Sequence, residues 1–414
     1  MAPRKQTVVS TTSVRDALAA LQSAMREALA GVPRLSGTRP VDLVASLGLD
    51  LKLAWKLARI AQTSDPFASV RHLPGTAGWR IALEAIRRSG AQPAACDRLA
   101  AAFEETVRLG AAWGGDRRAF EMMAAGLAAG SDMRIDVEHR RQLYLGGSYV
   151  WGVRARLSLR LDVLGPSAKG KRLDCATVRG VVDLERLRAD APWQLEAPLV
   201  LDDKVTKPSA CTAEPIELGT DAGASRRGHA KGPFLMQEFC SDPLPECRFI
   251  TTAGGVPAVE LAEGAMGSEG RMTLFHGTIL RNVQPAQTSS RHHGIFQLSK
   301  QRTPVERAVF DLCVHESLLQ QSPQPEAILY SDLFHPAGIR LHAATDRIPA
   351  GLEVLSLGSG ARRLKLAHYE RHSELALSVF ERTGWNPAQF HVFRVEAPYP
   401  PVPSTLALEM PIAD

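Results

Sequence analysis

The sequence predicts an α+β protein, and three features of the hydrophobic pattern predict it. From residue 12 to about residue 145, apolar side chains recur at intervals of three and four, the period of an α-helix. At Gly146-Gly147 the period drops to two, as in a half-buried strand. After about residue 286 the two periods alternate. The implied division is an all-α domain over residues 1–145, a β-rich domain over 146–285 and a mixed α+β region over 286–414, the last two either separate or continuous with each other.

Composition limits the function classes. The chain has 414 residues, 45% hydrophobic and 22% charged, which is globular rather than disordered or collagenous. The longest stretches without a charge, residues 142–153 and 397–408, are about a dozen residues long against the 18 or more of a membrane helix, so no membrane partner is expected. No apolar segment follows Arg4 and Lys5, so a cytoplasmic location is expected. The six cysteines form no C-x-x-C pair, which fits reduced, structural thiols and no disulfide framework. The net charge of +5 is unevenly distributed: residues 1–150 hold 20 Lys and Arg against 14 Asp and Glu, and the remainder holds 29 against 30. The excess positive charge therefore belongs to the helical third.

In chain order, Leu18, Leu21, Met25 and Leu29 mark the first helix and a candidate dimer face. Asp65-Pro66 has the residues of a helix start, Thr76 and Gly90 bracket a helix over 77–89, and another runs from Pro93 to Gly110. The first strand alternates Val153, Ala155, Leu157, Leu159, Leu161 and Val163 with Arg154, Arg156, Ser158, Arg160 and Asp162, whose arginines offer a second basic face. Strand-like runs follow at 176–182, 198–201, 248–252, 258–261 and 272–280, and the Gly-, Ala- and Ser-rich stretch 212–232 reads as a surface loop. In the last third, Thr303, Pro304 and Glu306 resemble a capping start for a helix over 303–320. A helix over 374–383, a strand over 389–396 and a polyproline-type tail at 399–403 complete the chain.

Residues 39–63 read RPVDLVASLGLDLKLAWKLARIAQT. Pro40 and Asp42 suit a first helical turn, Gly48 interrupts the pattern, and Asp50 caps a second helix. Leu43, Val44 and Leu47 would pack across the turn on Ala54 and Leu57, with small Ala54 allowing close approach. On a helical wheel Leu53, Ala54, Leu57, Ile60 and Ala61 share one side, whereas Lys52, Trp55, Lys56 and Arg59 share the other. This stretch resembles the helix-turn-helix of bacterial transcription regulators. More helices, and no β-hairpin wing, follow it, so a tetrahelical type is nearer than a winged one. The resemblance implies double-stranded DNA as partner, residues 50–62 as recognition helix, and Lys52, Trp55, Lys56 and Arg59 as its contacts. It also makes a homodimer on two half-sites an expectation, and completes the fold class: an all-α N-terminal helix-turn-helix domain, then a β-rich region with a mixed α/β C-terminal part.

Two other readings compete. An enzyme or metal protein would use some of His276, His292, His315 and His335, with the i, i+4 pairs Asp311/His315 and His368/His372 as candidate acid/base or ligand pairs. Neither H-E-x-x-H nor a Gly-rich phosphate loop is present, so no catalytic residue, metal or cofactor is assigned. The other competing reading is a structural or partner-binding protein that does not bind DNA. No effector is named.

Overall fold

The computed structural model describes residues 9–128, 137–168, 173–196, 212–216, 235–283, 287–319, 325–333 and 344–411, except positions 34, 192, 244–246, 252–256 and 289–291. The chain is mixed α+β, with helices towards the N-terminus and strands towards the C-terminus. It divides into two compact units, Met1–Met133 and Arg134–Asp414.

The first unit holds α1 (Thr11–Ala30), α2 (Pro40–Leu47), α3 (Leu51–Gln62), a short 3₁₀ turn (Phe67–His72), α4 (Thr76–Arg88), α5 (Pro93–Gly114) and α6 (Arg117–Leu127). Leu18, Leu21, Met25 and Leu29 of α1 are completely buried in this unit's own core with Leu43, Leu57, Ile60 and Leu99. The stripe expected to serve a dimer is thus consumed by the fold. Asp65 opens a 3₁₀ turn, its Oδ1 accepting from Phe67 N at 3.0 Å. Gly110 does not end α5, which continues to Gly114. The glycine serves packing instead: a Cβ there would lie 2.8 Å from the Phe120 ring of α6.

The second unit opens with α7 (Val137–Trp151), so Gly146 and Gly147 lie inside a helix, and Gly152, at φ 71°, makes the turn into the first strand. The strands are β1 (Val153–Pro166), β2 (Leu173–Arg186), β3 (Trp193–Glu196), β4 (Thr212–Pro215), β5 (Cys247–Thr251), β6 (Pro257–Leu261), β7 (Met272–Val283), β8 (Gln287–Thr288), β9 (His292–Gln301), β10 (Val305–His315), β11 (Glu326–Ser331), β12 (Arg347–Ile348), β13 (Val354–Ser359), β14 (Phe390–Pro398) and β15 (Ser404–Pro411), with α8 (His372–Thr383) between β13 and β14. The runs expected at 198–201 and across most of 217–232 lie outside the described residues.

A seven-stranded sheet has the order β13-β14-β10-β1-β2-β7-β4. Its β1 and β10 are parallel and its other neighbours antiparallel. Because β1 and β10 lie side by side, the sheet joins segments from either side of residue 285. Leu375, Val379 and Phe380 of α8 share a core with one face, through Leu157, Val309 and Val392. The other face shares a core with Leu406 and Leu408 of a five-stranded sheet, order β12-β11-β15-β9-β8, through Leu274, Phe310 and Leu312. A separate three-stranded sheet has the order β3-β6-β5, and its Leu261 is buried in the second of these cores.

The helix expected over 303–320 is a strand, β10. Val305, Val309, Phe310, Val314 and Cys313 favour extended backbone, and this strand is buried on both sides, which erases the period-two signal that would have revealed it. The expected tail at 399–403 connects β14 to β15, with Tyr399 at φ 47°.

Candidate nucleic-acid interface

In the first unit, α2 and α3 meet across Gly48-Leu49-Asp50. Gly48 takes φ 67°, a left-handed conformation that closes α2 by donating its N–H to Val44 O at 3.0 Å. Asp50 Oδ1 then accepts from Leu53 N at 3.0 Å, satisfying a free donor at the start of α3. Leu43, Leu47, Leu53, Ala54 and Leu57 are buried around this turn, and Ala54 is completely covered. Asp42, in the first turn of α2, is held by Arg39, whose Nε donates to its Oδ2 at 2.9 Å. That ion pair, first through its hydrogen bond, keeps the Asp42 carboxyl below the usual carboxylate range.

The apolar side of α3 is sealed: Leu53, Ala54, Leu57, Ala58, Ile60 and Ala61 are all buried. Lys52 and Arg59 are exposed, Lys56 is half-buried, and Trp55 keeps 41% of its surface in solvent. The four residues expected to form a contact face therefore share the outer side of one helix. The Arg59 guanidinium lies 5.2 Å from the Trp55 ring centre, a cation–π contact, and His72 meets that ring edge-on at 5.0 Å.

The structure adds two residues that the sequence reading missed, Arg71 and His72 of the 3₁₀ turn. With Trp55 and Arg59 they line an open depression of about 420 Å³. Arg71 Nε donates to His72 Nε2 at 3.2 Å, so this ring nitrogen is an acceptor and the imidazole is neutral. Burial, and then the charges of Arg71, Arg59 and Lys56, push His72 down to about 4. Burial is the larger cause, and the three neighbouring cations add to it in the same direction.

Of the other arginines in the unit, Arg39 pairs with Asp42, Arg87 with Asp97, Arg98 with Glu27, Arg108 with Glu105 and Arg117 with Glu121, whereas Arg15, Arg26 and Arg80 have no carboxylate within 4.0 Å among the described residues. Among the described residues, Lys52, Lys56, Arg59 and Arg71 have no carboxylate within 4.0 Å. The basic excess of the helical third therefore includes a local, uncompensated cluster.

The arginines of β1 do not form a second basic face. Arg154 pairs with Glu185 at 2.9 Å, Arg156 with Asp183 at 2.8 Å, and buried Arg160 with Asp162 at 2.5 Å. Asp311 and His315, four residues apart on a strand, are separated by about 13 Å rather than stacked on a helix. His315 Nδ1 instead contacts Ser317 Oγ at 2.8 Å. His368 precedes α8 and His372 begins it, so they do not form a helical pair. His372 Nε2 lies 2.5 Å from Asp311 Oδ2, which also binds Arg394, and all three side chains are buried. His276 is buried in β7, while the side chain of His292 and residue His335 lie outside the described residues. No cluster of three or more metal-ligating side chains occurs among the described residues. Of the cysteines, Cys96, Cys175, Cys240 and Cys313 are free thiols, and no described helix is long and apolar enough to cross a membrane.

Compared with protein-family models, with curated proteins and with solved structures, the chain matches none.

Proposed function

We propose that the chain binds double-stranded DNA through the outer face of α3, as a helix-turn-helix regulator of transcription. The observation that carries this reading is the uncompensated group Lys52, Lys56, Arg59 and Arg71 around exposed Trp55. A short helix with a sealed apolar side and an outward row of cations has the dimensions to enter a major groove. There the cations would replace counterions on phosphates, and Lys52, Lys56 and Arg59 could also donate to guanine edges, leaving α2 to cross the backbone. A homodimer belongs to this proposal as the assembly that would set two such helices on two half-sites.

A salt titration tests the reading. Wild type should bind mixed-sequence duplex at low salt, with affinity falling steeply as salt rises. In a Lys52→Ala/Lys56→Ala/Arg59→Ala variant the log–log slope should shrink by about two to three. Equal binding by both proteins, or binding by neither, defeats the proposal. Sedimentation of the free protein and its complex measures whether two copies assemble.

A further inference from the structure

A second cationic site lies in the other unit, between the seven-stranded sheet and the end of β9. Its floor comes from neighbouring sheet positions: by register Arg160 stands beside Arg179, and Arg179 beside His276, while Ser158 stands beside Val181 and Val181 beside Leu274. Its roof is the run Ser299, Lys300, Arg302 and Thr303, where β9 turns into β10. Together they enclose a cavity of about 80 Å³, lined by Arg179, His276, Lys300 and Arg302 with the hydroxyls of Ser158, Ser299 and Thr303. No carboxylate is among the described lining residues. Asp162, on the same face of β1 as Arg160, is engaged by it through both oxygens, at 2.9 Å to Nε.

The hydroxyls are set up as donors. Gln301 Nε2 donates to Ser299 Oγ at 3.1 Å, and Trp193 Nε1 donates to Thr303 Oγ1 at 3.0 Å. Each oxygen already accepts from its scaffold, so its own hydrogen remains for a ligand. Both residues are buried, which strengthens any charge-assisted bond they make. Cationic side chains and donor hydroxyls around a small space suit a group that only accepts. The volume equals about two or three waters, room for one tetrahedral oxyanion and not for a nucleoside.

We propose that this cavity binds a phosphate group, either free phosphate or the phosphomonoester end of a small metabolite whose remainder stays outside. The site is independent of the DNA proposal, and the experiment keeps them separate. The full-length chain carrying Arg59→Ala and Arg71→Ala, which removes cations of the other site, is titrated with inorganic phosphate and with glycerol phosphate by calorimetry, at constant ionic strength in chloride. Saturable binding to either is expected. Adding Lys300→Ala and Arg302→Ala, both exposed positions, should weaken it at least about tenfold. Adding Thr303→Val alone should weaken it and, because Trp193 Nε1 loses its acceptor, lower the melting temperature modestly without unfolding the chain. Equal affinities for the two ligands identify the free anion as sufficient, and tighter glycerol phosphate binding identifies the monoester; both support the site. Absence of saturable binding up to about 10 mM, or binding indifferent to Lys300→Ala/Arg302→Ala, overturns it.

Discussion

The Arg59 guanidinium covers one face of the Trp55 ring at 5.2 Å, and the His72 ring abuts its edge at 5.0 Å. Trp55 is therefore both exposed and held in place by two groups that respond to anions. Duplex DNA that draws Arg59 towards phosphate should change Trp55 emission. The change should vanish in Trp55→Phe although the chain's other five tryptophans remain. An unaltered response in that variant would assign the signal to another tryptophan and remove Trp55 from the interface.

His72 gives a pH prediction with a definite sign. Its folded value is pushed down to about 4 by burial and then by Arg71, Arg59 and Lys56, whereas an unfolded histidine titrates near 6.5. Between those values the unfolded chain binds more protons, so this contribution to stability is complete above about pH 6.5 and is lost as pH falls through about 4. His72→Gln should flatten the melting temperature across that window. A bound duplex or phosphate that offsets the three cations should raise the His72 titration midpoint, read from its ring proton shifts by NMR. A downward movement on binding would contradict an anion at this spot.

The first unit was legible in sequence because every signal there is local. Pro40, Gly48 and Asp50 act on their own turns, and the wheel of α3 follows from neighbours three and four residues apart. Lys52, Trp55, Lys56 and Arg59 could be grouped for that reason. Arg71 and His72 could not, since they join the group only when the 3₁₀ turn packs beside α3. In the second unit the decisive information is non-local. A strand buried on both faces, such as β10, carries no alternation, and its Thr303-Pro304 start mimics a helix cap. The pairing of Arg154 with Glu185 and of Arg156 with Asp183 depends on strand register and on acids up to 31 residues away, so a basic face is read where the fold has ion pairs; Arg160 and Asp162, by contrast, pair within β1.

Two glycines with opposite surroundings should respond in opposite directions to alanine. At Gly110 the added Cβ meets Phe120 ring atoms at 2.8 Å, and Gly110→Ala should destabilise the first unit by about 1–3 kcal/mol. Gly146, inside α7, has nothing within 4 Å of such a Cβ. Gly146→Ala should stabilise the second unit by about 0.5–1 kcal/mol through the loss of backbone freedom in the unfolded chain. Urea denaturation of each variant checks both signs.

The buried group formed by Asp311, His372 and Arg394 is a structural element by its geometry. Arg394 Nε donates to Asp311 Oδ1 at 2.7 Å and its Nη2 to Oδ2 at 2.8 Å, while Nη1 reaches Lys365 O at 2.7 Å. This ties β10, β14, α8 and the segment before α8 into one knot. Burial alone would raise the Asp311 carboxyl, but hydrogen bonds from Arg394 and His372 outweigh it and hold the group below its ordinary value. Its contribution is accordingly present above about pH 3.9 and lost as pH falls through the depressed folded value. Asp311→Ala leaves Arg394 charged, buried and uncompensated, and should cost about 3–5 kcal/mol. Asp311→Leu combined with Arg394→Met removes both charges and should cost less than the single change, with a large coupling in the double-mutant cycle. DNA binding should survive in any of these variants that remains folded, because the knot belongs to the second unit and the proposed interface to the first. A folded variant that loses DNA binding would show that the second unit governs the interface, and an additive cycle would show that Asp311 and Arg394 do not act as a pair.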